Sequence, residues 1–288
     1  MYDLLIGPFV EFEFMRRALV GAVALSLGGA PVGVFLMLRR MSLMGDAMAH
    51  AILPGAAAGY LLFGLALVPM TLGGIAAGFA VALTAGLVAR FTALKEDASL
   101  AAFYLMSLAL GVTIVSLRGS NVDLFRVLFG SVLALDDPTL ILVALITTVT
   151  LLALALLWRP LVLDCVDPGF LRSVSRSGAP AHLVFLALVV LNLVAGFHAL
   201  GTLLAVGLMM LPAIAARFWA RDVTSLVAMA VGFGILSGYA GLTLSYNMSL
   251  PSGPSIVLMA GVIYLVSLVF GPRGGLVPTY WPARHRAA

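Results

Sequence analysis

The stretch PTLILVALITTVTLLALALLW, residues 138–158, contains no Asp, Glu, Lys or Arg. A helix of about 20 apolar residues spans the hydrocarbon core of a bilayer. The rest of the chain has the same character, because 62% of its 288 residues are hydrophobic and only 10% are charged. Soluble domains are about half apolar and about a quarter charged. We therefore predict an all-α, polytopic integral membrane protein in contact with the lipid bilayer.

Charge-free stretches recur along the chain and predict about nine transmembrane helices. Single spans are expected at 18–38, 98–117 and 138–158, and pairs of spans in 47–89, 178–216 and 223–272. The breaks within the pairs are expected near 64–69, 196–201 and 247–254. The segment 123–135 is apolar but too short to span, which is typical of a re-entrant or interfacial helix. If it merges with a neighbour, the count falls to eight.

The net charge of +4 is too small for a nucleic-acid-binding protein, and no basic stripe accompanies it. The basic residues instead follow the positive-inside rule. Alternating spans place twelve of the sixteen basic residues on one side, predicted to be cytoplasmic: Arg39, Arg40, Arg90, Lys95, Arg159, Arg172, Arg176, Arg217, Arg221, Arg273, Arg284 and Arg286. The N-terminus is then expected outside. No soluble segment separates the spans, so residues 1–288 are predicted to form a single transmembrane domain.

The sequence carries no recognisable catalytic machinery. The single cysteine, Cys165, excludes a disulfide framework and a cysteine-rich metal site. A G-x-x-x-x-G-K-[ST] phosphate loop is absent, so the chain is not expected to bind and hydrolyse ATP by that chemistry. We therefore predict a transport component and not an enzyme. Active transport would take its energy from an ion gradient or from a partner.

Asp46 and His50 are the candidate metal ligands. Their spacing of four residues places both side chains on one helix face, and ionisable residues within spans usually mark an ion path. A carboxylate and an imidazole together suit Zn²⁺, Mn²⁺ or Fe²⁺. Pro54 cannot donate to the carbonyl of His50, so the helix is expected to bend at the histidine. Because two ligands make a poor site, a homodimer that brings two pairs together is the hypothesis.

Other interpretations of these residues stay open. Asp46 is close enough to the helix start to be favoured there by the helix dipole, and His50 could bond a neighbouring backbone. His198 is a weaker metal candidate, because an interfacial histidine is the more common case. The helically spaced methionines suggest copper, although such a stripe is more often packing: Met41, Met44 and Met48.

Four motifs resemble the membrane permeases of bacterial zinc and manganese ABC importers: RRMSLMGDAMAHAILPG (39–55), NVDLFRVLFGSVLAL (121–135), GTLLAVGLMMLPAIAAR (201–217) and GPSIVLMAG (253–261). The resemblance implies a homodimer in the bacterial cytoplasmic (inner) membrane, with a separate cytosolic ATP-binding cassette ATPase and an extracytoplasmic metal-binding protein as partners. It places Asp46 and His50 in the translocation pathway. The metal is then cargo and no cofactor is bound permanently. The motifs read closest to zinc permeases, so zinc is favoured and manganese or iron is possible.

The resemblance also assigns an ATPase-coupling segment within a cytoplasmic loop at about 159–178. The family reads roughly D-P-E-x-A followed by a glycine, and the matching residues here are Asp167, Pro168, Phe170, Leu171 and Gly178. The chain departs from that pattern at two positions, Gly169 and Leu171, which puts the register of the contact in doubt. The loop also mixes arginines with apolar residues, a pattern that suits an amphipathic helix in a partner's groove or one resting on lipid.

Two other functions compete with metal import by an ABC permease. A siderophore- or cobalamin-type ABC permease would need a wide pathway and no metal-ligand pair, so Asp46 and His50 disfavour it. A gradient-driven secondary metal transporter usually carries several intramembrane acidic residues, and this chain offers one.

Overall fold

The computed structural model describes residues 6–64, 66–94, 96–117, 135–167 and 178–280. These ranges contain twelve α-helices: α1 (Gly7–Glu11), α2 (Glu13–Leu38), α3 (Met44–Ala51), α4 (Leu53–Phe63), α5 (Leu67–Phe91), α6 (Glu96–Leu117), α7 (Asp137–Val166), α8 (Gly178–Leu200), α9 (Thr202–Ala216), α10 (Val223–Met248), α11 (Ser252–Phe270) and α12 (Leu276–Tyr280). The all-α prediction is confirmed. The short helix predicted at 123–135 lies outside the described residues, except for Leu135.

Six helices of the described chain are long and apolar enough to cross a membrane: α2, α5, α7, α8, α10 and α11. The other three predicted spans coincide with shorter or interrupted helices. One is the pair α3 and α4, another is the apolar part of α6 at Ala98–Ile114, and the third is α9. The count of nine therefore stays a prediction.

The breaks between helices follow the sequence closely, but two helix ends do not. The breaks between α4 and α5, α8 and α9, and α10 and α11 lie where they were expected. However, α7 continues through Arg159 and Pro160 to Val166, so the predicted loop at 159–178 is wrong in its first part. The structural reason is that charged side chains near a helix end reach water while the backbone stays helical.

The core of the bundle is built around α2 and α8. In their most apolar windows 72% and 67% of the residues are buried inside the protein, against 28–33% in the other four candidate spans. α2 packs against α7, α9 and α10, and α8 packs against α7 and α5. The contact of α2 with α9 is backbone to backbone at Gly33, where a Cβ would meet the carbonyl oxygen of Met209. Small residues at a helix interface permit such a close approach of the two backbones.

A few buried polar side chains join α2, α7 and α8. The Asn192 Nδ2 atom donates to Thr150 Oγ1 across 2.8 Å, and the Thr147 hydroxyl donates to the Ala24 carbonyl across 2.9 Å. Ser26 is fully buried and donates to the Ala22 carbonyl within its own helix. Buried polar groups need such partners, because an unpaired group in an apolar interior is costly.

The helix ends sort into two groups at opposite ends of the bundle. At one end, the guanidinium of Arg39 contacts Asp164 of α7 and His182 of α8. At the other end, Arg17 of α2 forms an ion pair with Asp137 of α7 across 3.1 Å. We name these the Arg39 end and the Arg17 end. The loops that were predicted to be cytoplasmic and that begin at Arg39 and Arg159 therefore meet at one end, as alternating spans require.

The turn from α2 into α3 is a Schellman motif. The Arg40 N–H donates to Met37 O across 3.0 Å and the Met41 N–H donates to Leu36 O across 2.9 Å. Arg40 has a φ of 61°, the left-handed conformation that this motif requires. Met41 packs against the same buried cluster as Leu36, which is the hydrophobic contact that accompanies the motif. The direction of α3 is therefore fixed relative to α2.

Candidate functional site

Asp46 and His50 lie on α3, one turn apart on the same face, as the spacing predicted. The His50 Nε2 and Asp46 Oδ1 atoms are 3.9 Å apart. The Asp46 side chain is 66% exposed and the His50 side chain is 27% exposed in the single chain. The pair therefore lies at an open surface of the subunit and is accessible to an ion or a second protein surface.

The rest of α3 is buried and holds the pair in place. Its buried residues include Met44, Met48 and Ala51, which belong to the main apolar cluster. Gly45 faces α9, where a Cβ would lie 2.7 Å from the Met209 Cε atom. Met44 and Met48 are 4% and 0% exposed, so the structure supports packing for these methionines and not copper binding.

The helix is interrupted directly after the pair. α3 ends at Ala51 and α4 begins at Leu53, with Pro54 in its first turn. The interruption lies close to His50, where Pro54 was expected to bend the helix. The Ser107 hydroxyl of α6 donates to the Ala51 carbonyl across 3.0 Å, which satisfies a backbone acceptor at the interruption.

The imidazole of His50 is oriented by α6. Its ring stacks on Tyr104, with centroids 6.4 Å apart and planes inclined by 27°. Its Nδ1 atom is buried and has no hydrogen-bond partner among the described residues. The partly exposed Nε2 atom, on the Asp46 side, is therefore the ring nitrogen that is available to an incoming ion.

The described residues contain no cluster of three or more His, Cys, Asp or Glu side chains that could hold a metal ion. His198, the weaker candidate, therefore does not join the pair. Its Nε2 atom lies 3.1 Å from the Thr71 hydroxyl, and its ring packs edge-on against Phe197. Among the described residues, one subunit thus offers two side-chain ligands at this surface.

The predicted coupling residues are only partly within the described chain. Asp167 is the C-cap of α7, and its N–H donates to Leu163 O across 2.9 Å. Gly178 is the first residue of α8. Pro168, Phe170 and Leu171 lie outside the described residues. The two described residues therefore mark the helix that enters the segment 168–177 and the helix that leaves it.

No pattern in the sequence indicated the contacts around Arg39. Its Nη2 atom lies 2.7 Å from Asp164 Oδ2, and its Nη1 atom lies 3.1 Å from His182 Nδ1. The His182 side chain is half-buried against Arg39. Arg39 stands in the first family motif, but no pattern in one sequence pairs it with residues more than a hundred positions away.

Comparisons with known proteins extend over nearly the whole chain. The chain is 31% identical over 268 residues to the manganese import system permease protein ScaB of Streptococcus parasanguinis, covering 93% of this chain and 94% of that one. It is 30% identical over 277 residues, 96% of both chains, to a Haemophilus influenzae protein named as a probable iron transport system membrane protein. The solved structure of PsaBC from Streptococcus pneumoniae in complex with Fab superposes with a TM-score of 0.86 at 28% identity, covering 97% of this chain and 100% of that one.

A family model gives the same result. The model of the ABC 3 transport family matches residues 11–271, which include all of α2 to α11. This span contains the Asp46 and His50 pair, the segment that follows Asp167, and all four motifs quoted above. The resemblance inferred from those motifs is therefore confirmed, and the chain belongs to the ABC 3 transport family.

Proposed function

We propose that the chain is the membrane-spanning permease subunit of an ATP-driven importer of divalent transition-metal ions, and that Asp46 and His50 are its metal-contacting residues. The observation that carries the proposal is the accessible pair on α3, with Asp46 Oδ1 and His50 Nε2 3.9 Å apart. Protein ligands lie about 2.1 Å from such ions. One ion can therefore contact both atoms with little movement of the side chains.

The surface position of the pair supports a homodimer. A carboxylate that is 66% exposed in the single chain would be costly against lipid, so it is expected to face a polar pathway or a second subunit. A two-fold axis beside α3 would bring two carboxylates and two imidazoles together and complete a set of four ligands. The ion would pass between the subunits, and alternating access would expose it to one side of the membrane at a time.

Manganese is the cargo that we propose. The motifs alone favoured zinc, but the ScaB relative is named for manganese and the Haemophilus influenzae relative for iron. Ions at that end of the series accept carboxylate and water oxygens beside imidazole, and the two exposed carboxylates of a dimer, with water, can supply such oxygens. The cargo is delivered at the outer face by an extracytoplasmic metal-binding protein. A separate cytosolic ATPase engages the segment after Asp167 and supplies the energy, in the cytoplasmic (inner) membrane of a bacterium.

The test is metal uptake by proteoliposomes that contain the permease with its ATPase and metal-binding protein. We expect ATP-dependent uptake of Mn²⁺ in preference to Zn²⁺, and a loss of at least about tenfold in Asp46→Asn and His50→Gln, because each variant removes a ligand. His198→Gln and Asp136→Asn are matched controls, since they make the same chemical changes away from the pair.

Three results would contradict the proposal in different ways. Full uptake by both ligand variants would show that Asp46 and His50 do not contact the metal ion in the pathway. Uptake that needs an ion gradient and no ATP would favour a secondary transporter. Uptake of a chelated metal and not of the free ion would favour a siderophore- or cobalamin-type permease.

A further inference from the structure

Arg39 forms the most buried ion pair described in the chain. Its side chain is only 6% exposed, and its Nη2 atom lies 2.7 Å from Asp164 Oδ2, whose side chain is 20% exposed. The guanidinium also lies over the ring of Phe185, with Cζ 4.4 Å from the ring centroid. Its Nη1 atom lies 3.1 Å from His182 Nδ1. A planar guanidinium makes all three contacts at once, which a lysine cannot do.

These three contacts reach both helices that flank the segment 168–177. Asp164 is in the last turn of α7, which ends at Val166 just before that segment. His182 and Phe185 are in the first turns of α8, which begins just after it at Gly178. Arg39 therefore contacts both the end of α7 and the beginning of α8.

On its other side Arg39 is joined rigidly to α3. It is the C-cap of α2, and the Schellman motif at Arg40 and Met41 follows it directly. The Met44 N–H then donates to Met41 O across 3.0 Å, and α3 starts at Met44. A displacement of Arg39 is thus carried through a hydrogen-bonded turn into the helix that bears Asp46 and His50.

We propose that Arg39 is a positioning residue that transmits displacement of the adjoining ends of α7 and α8 to α3, and so links ATP hydrolysis to the position of the metal ligands. This inference rests on the proposed function. The ion pair is buried, and removing one partner would leave an uncompensated charge there. The link acts through the backbone of residues 39–44 and requires no contact between Arg39 and the metal.

The test compares metal transported with ATP hydrolysed in the reconstituted complex of permease, ATPase and metal-binding protein. In Arg39→Gln we expect Mn²⁺ transported per ATP to fall at least about tenfold, while the ATPase still co-purifies and the permease keeps its affinity for Mn²⁺. Arg273→Gln is the matched control. It removes an arginine at the same end, where the Arg273 Nη1 atom donates to the Ala220 carbonyl, and it should keep the wild-type ratio.

A second variant keeps the test valid if Arg39→Gln fails to fold. Asp164→Asn removes the same ion pair with a side chain of the same shape, and it should lower the ratio to the same level. If Arg39→Gln does not assemble, Asp164→Asn decides the question alone. A wild-type ratio in the assembled variants overturns the inference, as does an equal loss in Arg273→Gln. Failure of the proposed function is distinguishable, because the wild-type complex itself would then transport no metal.

Discussion

The Ser107 hydroxyl on α6 donates to the backbone carbonyl of Ala51 across 3.0 Å, at the residue where α3 ends. Ser107 is 8% exposed, so water does not replace it easily as a donor. The contact ties the helix that carries His50 to the helix that carries Tyr104, its stacking partner. The interruption after the candidate metal ligands is therefore supported by a specific side chain.

Replacing Ser107 with Ala should destabilise the protein by about 1–3 kcal/mol, because the Ala51 carbonyl would lose its partner in a buried setting. Thermal unfolding in detergent measures the effect. Ser116→Ala is the control, since Ser116 lies on the same helix but is exposed and bonds only the Val112 carbonyl of its own helix. Equal effects of the two substitutions would show that the bond to Ala51 has no particular importance.

Replacing Gly33 with Ala should be strongly destabilising. The new Cβ would clash with the Met209 carbonyl oxygen, a backbone atom that cannot move without separating α2 from α9. Overpacking of this kind costs about 1–3 kcal/mol or more. Gly86→Ala is the control, because nothing described lies within 4 Å of its Cβ position. A stable Gly33→Ala protein, judged by its unfolding temperature and monodispersity, would contradict the backbone contact.

Replacing Arg40 with Gly should raise stability by about 1 kcal/mol. Arg40 adopts a left-handed conformation with a φ of 61°, which costs roughly this amount for a residue with a Cβ. The side chain is exposed, so little packing is lost. Arg159→Gly, an exposed arginine inside α7, should have the opposite sign because glycine weakens a helix interior. A lower unfolding temperature for Arg40→Gly would mean that the charge of Arg40 stabilises the protein by more than its left-handed backbone conformation destabilises it.

Asp136 should make stability depend on pH. It caps α7, and its pKa lies below the ordinary value chiefly because Thr139 donates hydrogen bonds to the carboxylate, with the Thr139 N–H 3.1 Å from Oδ1. Since the folded pKa is lowered, the stabilisation is present above the unfolded pKa of about 3.9 and is lost as the pH falls through the folded value. Asp136→Asn should remove this dependence.

Unfolding followed by tryptophan fluorescence between about pH 2 and pH 6 measures the difference between wild type and Asp136→Asn. The difference should shrink as the solution becomes more acidic through the range below about pH 3.9. Asp136→Ala provides the comparison, because losing the cap entirely should lower stability relative to Asp136→Asn by about 0.5–2 kcal/mol at every pH. Parallel curves for wild type and Asp136→Asn would refute the assignment.

The helices themselves could be predicted because hydrophobicity is a local property. The charge-free stretches located the helix breaks, and Pro54 located the interruption of the second predicted span. The predicted positions of the helix ends were less accurate, because Arg159 and Glu13 are charged and yet lie inside helices. A charged side chain at the membrane surface ends the apolar stretch without ending the hydrogen-bonded helix.

The candidate site was predictable only where it depends on spacing. Asp46 and His50 share a face because a helix has 3.6 residues per turn. The partners Tyr104, Ser107 and Asp164 arrive from other helices, and their contacts depend on how those helices pack. A single sequence contains no period or motif that reports such packing, which is why the environment of Arg39 was not anticipated.

The burial of α2 has a consequence for biosynthesis. α2 is made first among the long helices, yet the helices that cover it are α7 to α10, the earliest of which begins only at Asp137. Until those helices are inserted, its protein-facing surface must be in contact with lipid. Ser26 can tolerate that period because its hydroxyl already donates to Ala22 within the same helix. The face of α2 that ends in the centre of the bundle is therefore the last to be covered. Assembly is completed only after the C-terminal half of the chain has entered the membrane.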